Sequence, residues 1–309
     1  MDKKERVRFV LLDCLYLAIA LLPVLGAMLL KILYTPASEG IQISGALIYF
    51  TVPFPLQDLI ITESQVNSLV VLIAVFGLSL FMTHGLKTRN ISIRQHVLEW
   101  AIEKVDGMVK GSMGEYFKSF SPFIIAILLI SALSSFSSLL GLYPPTSDIN
   151  IVAGWAILVF GIITYYKMKC GVLYYLKGFT EPIFVFTPMN ILGELSTPIS
   201  MAFRHYGNVL SGVVISVLIG ACLESLSGLV LGWIPGVIGE FPLFRIGLPA
   251  VFSVYFDLFS GGLQAYIFAM LTMMNVTNAF PADDYFARQA RKNQKKKNKN
   301  IINKQTEVI

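Results

Sequence analysis

Residues 187–208 read Thr187-Pro-Met-Asn-Ile-Leu-Gly-Glu-Leu-Ser-Thr-Pro-Ile-Ser-Met-Ala-Phe-Arg-His-Tyr-Gly-Asn208. They lie inside an apolar block, residues 183–223, that holds one arginine, Arg204, and no lysine. About 20 helical residues cross the roughly 30 Å of a bilayer's hydrocarbon. The block is therefore too long for one perpendicular crossing and is expected to tilt, bend or split. A guanidinium at that depth keeps its charge. Placing it there costs about 2.5 kcal/mol or more, so an intramembrane arginine is read first as functional.

The neighbours of Arg204 sharpen that reading. At helical spacing Gly193, Thr197, Ser200, Arg204, Asn208 and Ser211 fall on one face, with Glu194 at its border. Gly207 and Gly212 beside the stripe are expected to let another helix approach closely. His205 points off the stripe and is read as structural. A second polar stripe runs along the last apolar block, residues 244–276. There Asp257 and Gln264, seven apart, share a face with Ser253 and Gly261. Asp257 is a group that can take up and release a proton within a membrane. Asp148 and Glu240 fall in segments assigned to the outer side.

The rest of the chain has the same character. Of its 309 residues 55% are hydrophobic and 14% charged, against about 25% charged in soluble domains. Further apolar blocks cover residues 9–33, 67–86, 123–142 and 151–166. Residues 96–118 instead alternate at helical spacing, with Val97, Trp100, Val105 and Met108 opposite Glu99, Glu103 and Lys110. They are expected to form an amphipathic helix in the membrane interface. The fold class expected is all-α: a polytopic helical membrane protein with five to six transmembrane helices, one interfacial helix and two long tilted last helices. Residues 1–61 form an extra N-terminal span and outer segment, 62–280 the membrane domain, and 281–309 a basic, disordered tail.

Charge sets the expected orientation. Residues 1–8 hold four basic residues, 87–118 six, 167–177 three and 285–309 eight, whereas 34–66, 143–150 and 224–242 hold none. Both ends then face the cytoplasm, with six spans between. Lys31 and Arg245 sit at outer helix ends, where long side chains snorkel. The first block also reads as a signal peptide. Its length and the lack of a small-residue cleavage site favour a retained span; were it cleaved, five spans would remain. The basic tail suits anionic lipid, and no nucleic-acid partner is expected. Cys14, Cys170 and Cys222 share no ligand spacing with His84, His96 or His205. With no phosphate-binding loop either, no metal, no cofactor and no covalent catalysis by this chain alone are expected.

Three motifs then carry a resemblance. The run 187–208 resembles the signature N-x-x-(E/G)-x-x-S-x-P-x-S-x-x-x-R-x-x-G-N of the a subunit of F-type ATP synthase. Leu263-Gln264-Ala-Tyr-Ile-Phe268 resembles that family's second signature, and Pro145-Thr-Ser-Asp148-Ile-Asn150 a third. The resemblance covers residues 62–277. It implies a stator subunit that packs against a ring of c subunits and offers two offset half-channels, for H⁺ or for Na⁺. It also implies a b-subunit peripheral stalk, the rest of the F1Fo complex, and a bacterial plasma membrane. Arg204 would separate the half-channels, and Asn208 and Asp257 would belong to the outer one. Asp148 would stand at its mouth, Gln264 would face Arg204 from the last helix, and Glu194 would line the cytoplasmic half-channel beside the Ser200 stripe. Two positions depart from the family pattern: Val213 replaces an acidic residue, and Asn275 a tyrosine.

Two competing classes remain. A stand-alone secondary transporter binding an anion at Arg204 would carry an inverted repeat, and none is visible between the halves. A structural scaffold has no use for Arg204 together with Asp257.

Overall fold

The computed structural model describes residues 3–35, 45–55, 58–89, 91–180, 183–233, 244, 251–252, 254–282, 285–291 and 293–294. Ser253, Glu240, Arg245 and residues 295–309 of the basic tail lie outside the described residues. Six helices are long and apolar enough to cross a membrane: Val7–Tyr34, Glu63–Thr83, Glu115–Leu140, Ile149–Lys167, Phe184–Leu231 and Val254–Ala279. The chain is thus an all-α polytopic membrane protein. One addition breaks the helical pattern. In the outer segment β1 (Ile48–Val52) pairs antiparallel with β2 (Leu59–Thr62), so the Pro53-Phe54-Pro55 stretch joins two strands.

Helix α1 (Lys3–Tyr34) lies antiparallel on α2 (Glu63–Thr83) and is fixed at three heights. Near the basic end, Arg94 donates from Nη1 to both carboxylate oxygens of Asp13 at 3.2 Å, and His84 Nδ1 stands 2.8 Å from Asp13. The Phe9 ring stacks on His84, with centroids 4.5 Å apart. Midway, Gly77 meets Ala20 so closely that an added Cβ would stand 2.7 Å from the Ala20 nitrogen. At the opposite end Lys31 Nζ lies 3.1 Å from Glu63 Oε1. Lys31 is therefore pinned to a carboxylate, where free snorkelling was expected.

The interfacial helix α3 (Ile93–Met113) begins at Ser92, whose hydroxyl accepts from the Gln95 nitrogen at 3.3 Å. Its apolar face divides. Val109 and Met113 are buried in the core, while Val97 and Trp100 stay exposed. A 3-10 turn, Glu115–Phe120, leads into α4 (Ser121–Phe136). Helix α5 (Ile149–Lys167) is followed by the short α6 (Val172–Phe179), which the apolar pattern had not marked. Phe120, Ile124, Val159, Met201, Phe268 and Met273 belong to one buried cluster, which joins α4, α5 and α7 to the last helix.

The long apolar block forms one continuous helix, α7 (Thr187–Leu231), of 45 residues. At 1.5 Å per residue it is about 67 Å long, so it fits a bilayer only well away from the membrane normal. Pro198 lies within it. A proline lacks the N–H that would bond four residues back, so the Glu194 carbonyl loses its usual donor. The last span opens with a π-helical turn, Val254–Ser260, and continues as α8 (Gly261–Ala279). Residues 285–291, expected to be disordered, are helical. Tyr285 packs edge-on against Tyr116, with ring centroids 6.0 Å apart, and Lys169 Nζ donates to Tyr116 Oη at 2.7 Å.

Gly77→Ala should lower the thermal unfolding midpoint of the detergent-solubilised protein, because the new methyl meets Ala20 backbone. Overpacking of this kind costs about 1–3 kcal/mol. Gly26→Ala, where nothing lies within 4 Å of the added Cβ, should leave the midpoint unchanged.

Candidate functional site

Arg204 sits on the open face of α7, with Ser200 and Ser211 also exposed and Thr197 and Asn208 half-buried. The opposite face is packed: Met201, Ala202 and His205 are buried. His205 is enclosed by the rings of Trp155 and Phe268, with centroids at 5.9 and 5.5 Å. Among the described residues no hydrogen bond or ion pair is made by Arg204. Of the two flanking glycines only Gly212 serves close approach; an added Cβ there would stand 3.3 Å from Phe256 Cβ, while Gly207 faces open space.

Beyond Arg204, one polar set continues toward the end of the molecule that carries Asp148. Asn208, one turn on, donates from Nδ2 to Ser260 Oγ at 2.9 Å, and Ser260 Oγ donates back to Asn208 Oδ1 at 3.1 Å. Ser260 closes the π turn that carries Asp257. Asp257 lies beside Ser138, in the 3-10 turn Ser137–Leu140 that follows α4, and Ser138 Oγ donates to the Ser135 carbonyl at 2.9 Å. Ser135 Oγ lies 3.5 Å from Thr146 Oγ1 in the turn that precedes Asp148. Asp148 caps α5 by accepting from the Asn150 nitrogen at 3.0 Å, and its other oxygen accepts from Ser64 Oγ. Several buried polar atoms along this set have no protein partner among the described residues, including Ser134 Oγ, Ser147 Oγ and Asn67 Oδ1. Buried polar atoms of this kind are ordinarily satisfied by water.

Before Arg204, a second polar set opens toward the basic end. Glu194 is only 10% exposed, lies 3.0 Å from Lys167 Nζ, and accepts from Tyr175 Oη at 3.0 Å. With Lys167 as its partner, Glu194 is no counter-ion for Arg204. The pair lines a cavity of about 490 Å³ with Asn190, Gly193 and Thr197, and a second of about 200 Å³ with Asn275 and Asn278. Asn275, where the family pattern has tyrosine, therefore adds an amide to this wall.

Gln264 is buried at 5% exposure on α8. The π turn winds more widely than an α-helix, so Asp257 is rotated off the line through Gln264 that seven-residue spacing gives. The structure thus joins Asp257 and Asn208 through Ser260, and Asp148 to Ser64, while Glu194 belongs to a separate group. Lys167, Tyr175, Ser138 and Ser260 escaped the sequence reading. The serine run 131–138, Ser-Ala-Leu-Ser-Ser-Phe-Ser-Ser, was the available signal for Ser138.

Tyr175 is pushed up to about 12 from the ordinary phenol value of 10.0, by burial first and then by its bond to Glu194. Its protonated form is the one that donates. The contact is therefore complete below pH 10 and is lost as pH rises through about 12. Ultraviolet titration should show two phenols, Tyr175 and Tyr49, ionising near the upper value, and Tyr175→Phe should remove one of them.

The family model "ATP synthase A chain" matches residues 66–276. The chain is 28% identical over 227 residues to ATP synthase subunit a of Bacillus pumilus (strain SAFR-032), covering 68% of this chain and 90% of that protein. It is 27% identical over 230 residues to ATP synthase subunit a of Bacillus subtilis (strain 168), covering 69% and 92%. With the subunit a of Trichlorobacter lovleyi it shares 32% identity over 158 residues, covering 48% of this chain and 68% of the other. The family model spans well over half of the chain, around the arginine on its long helix: this protein belongs to the ATP synthase A chain family.

Proposed function

We propose that this chain is the ion-translocating stator subunit of a rotary F-type ATP synthase in a bacterial plasma membrane, with its C-terminus cytoplasmic. The observation that carries the reading is the position of Arg204 between two separate polar systems on one helix. Asn208 starts the first about 6 Å further along α7, and Glu194 belongs to the second about 15 Å back, at 1.5 Å per residue. One system opens at the Asp148 end and the other at the basic end. They act as the outer and cytoplasmic half-channels, and the open face of α7 meets a ring of c subunits. The peripheral b stalk holds the subunit against rotation.

The chemistry follows from charge. An ion entering past Asp148 and Asp257 neutralises a carboxylate of the ring, and the neutral site then rotates through lipid. When a ring site comes back to the stator it meets Arg204. Two unit charges 4 Å apart interact by about 4 kcal/mol at an effective dielectric of 20. That attraction favours the ionised carboxylate and forces its ion out. The fixed cation also stops ions passing straight from one half-channel to the other. A track of hydroxyls, amides and two carboxylates suits proton relay through bound water, so H⁺ is the ion proposed. Ser138 fits that role, because its hydroxyl donates to a backbone carbonyl and keeps lone pairs for a protonated Asp257.

Arg204→Ala should abolish ATP-driven proton pumping in vesicles while the complex still assembles. Arg204→Lys should restore it only in part, since a lysine can lose its proton when buried. Normal pumping in the alanine variant would remove the ion-separating role.

Among the carboxylates, Asp257→Asn should cut flux strongly and Asp257→Glu should keep much of it. Asp148→Asn should have a mild effect, because that side chain lies at the mouth. Flux measured from pH 6 to 9, with and without Na⁺, tests the ranking. Equal flux in Asp257→Asn and the parent would place the relay elsewhere or make Na⁺ the carried ion.

A further inference from the structure

Helix α1 lies outside the residues matched by the family model, yet it puts a cation beside the proposed outer entrance. Lys31 is 31% exposed and Glu63, its partner at 3.1 Å, is 2% exposed. The same Glu63 oxygen accepts from the Tyr143 nitrogen at 3.1 Å, and Asn67 Nδ2 donates to the Tyr143 carbonyl at 2.9 Å. Glu63 thereby holds one end of the turn whose other end is Asp148. The next residue, Ser64, holds Asp148 itself. Tyr143 lies above its ordinary phenol range through burial and then through Asp148, Tyr206 and Glu63, so both carboxylates act on one neighbourhood. Tyr49 on β1 also feels the Glu63 charge.

We infer that Lys31 is a positioning residue of the outer ion entrance: α1 supplies the fixed cation that pairs with the buried Glu63 and keeps it locked on the Tyr143–Asp148 turn. The inference rests on the outer half-channel described above. Its physical basis is that a buried carboxylate deprived of its partner either binds a proton or stands as an uncompensated charge. Here either outcome falls one residue from the mouth. With Lys31 in place, Asp148 and Asp257 are the carboxylates left to handle the ion. Tyr49 and Tyr143 are the phenols that feel the Glu63 charge, and both ionise above their ordinary range, so a pH effect confined to the neutral range traces to a carboxylate.

The test uses the assembled complex in inverted vesicles, with pumping expressed per assembled subunit. Lys31→Met should lower ATP-driven pumping roughly tenfold and add a step to its pH profile. Lys31→Arg should match the parent. Glu63→Gln should stay near the parent, because the amide oxygen still accepts from Tyr143, and the Lys31→Met/Glu63→Gln double variant should recover most pumping and lose the extra step. Parental pumping with a parental profile in Lys31→Met overturns the inference, as does a double variant no better than Lys31→Met. If Lys31→Met does not assemble, the double variant decides: active supports, assembled but inactive overturns. An intact mass showing a mature subunit without residues 1–31 overturns it as well. Arg204→Ala in the same vesicles separates the two readings. If it stops pumping while Lys31→Met is silent, only the role of Lys31 fails; if it pumps normally, the half-channels themselves fail.

Discussion

A permanent positive charge inside hydrocarbon is the constraint from which the rest of this structure follows. Arg204 cannot shed its proton and has no counter-ion among the described residues of its own chain. Its surroundings must therefore be polar, hydrated or completed by a partner. The chain meets the first need with Ser200, Asn208 and Ser211 on the same face. It also keeps Glu194, on the same helix, occupied by Lys167 and Tyr175. An arginine paired within its own subunit would be a packing device. One left without an internal partner on an open face is available to a carboxylate that comes and goes.

The long helix and the two irregular backbone segments serve that arrangement. At about 67 Å, α7 reaches polar groups near both membrane surfaces while keeping Arg204 inside. Pro198, about one and a half turns before the arginine, frees the Glu194 carbonyl beside the cavities that Glu194 and Lys167 line. The π turn does the equivalent on the other side. By winding wide it brings Ser260 to Asn208 and Asp257 to Ser138. Departures from α geometry inside membrane helices are tolerated where they line polar space, and both of these flank Arg204.

The spans, the interfacial helix and the arginine stripe were legible because hydrocarbon imposes length and period on a sequence. Residues 149–167 and 63–83 were found within a few positions by apolar run alone. What pattern reading missed was contact between distant segments. Lys167 looked like one of the basic residues that set orientation, and only the fold shows it against Glu194. Lys31 looked like a snorkelling end residue, yet its partner stands across the hairpin. The seven-residue spacing of Asp257 and Gln264 implied a shared face because 3.6 residues per turn was assumed; nothing in the local sequence announces a π turn. Tail residues 285–291 lack an apolar run, and their order comes from aromatic contacts with Tyr116 and Phe280.

Hydrogen-bond direction distinguishes the polar groups that only tolerate the membrane from those that form a path through it. Ser211, Ser227, Thr272 and Thr277 each donate to the carbonyl four residues back in their own helix, at 2.6 to 2.8 Å. Such hydroxyls are satisfied locally, whatever packs beside them. Asn208 and Ser260 instead bond each other across two segments, as do Asp148 and Ser64. A contact between helices costs the chain side-chain entropy and exact register, and in hydrocarbon an unmet polar group costs more. These contacts follow one another from the outer turn to Arg204 and stop there. On the far side the polar groups belong to cavities opening the opposite way. Between the two sets the packed face of α7 carries Met201, Ala202 and His205, all buried. On the reading proposed above, a charge passing from one set to the other leaves this subunit at the open face of α7, near Arg204, and returns to it.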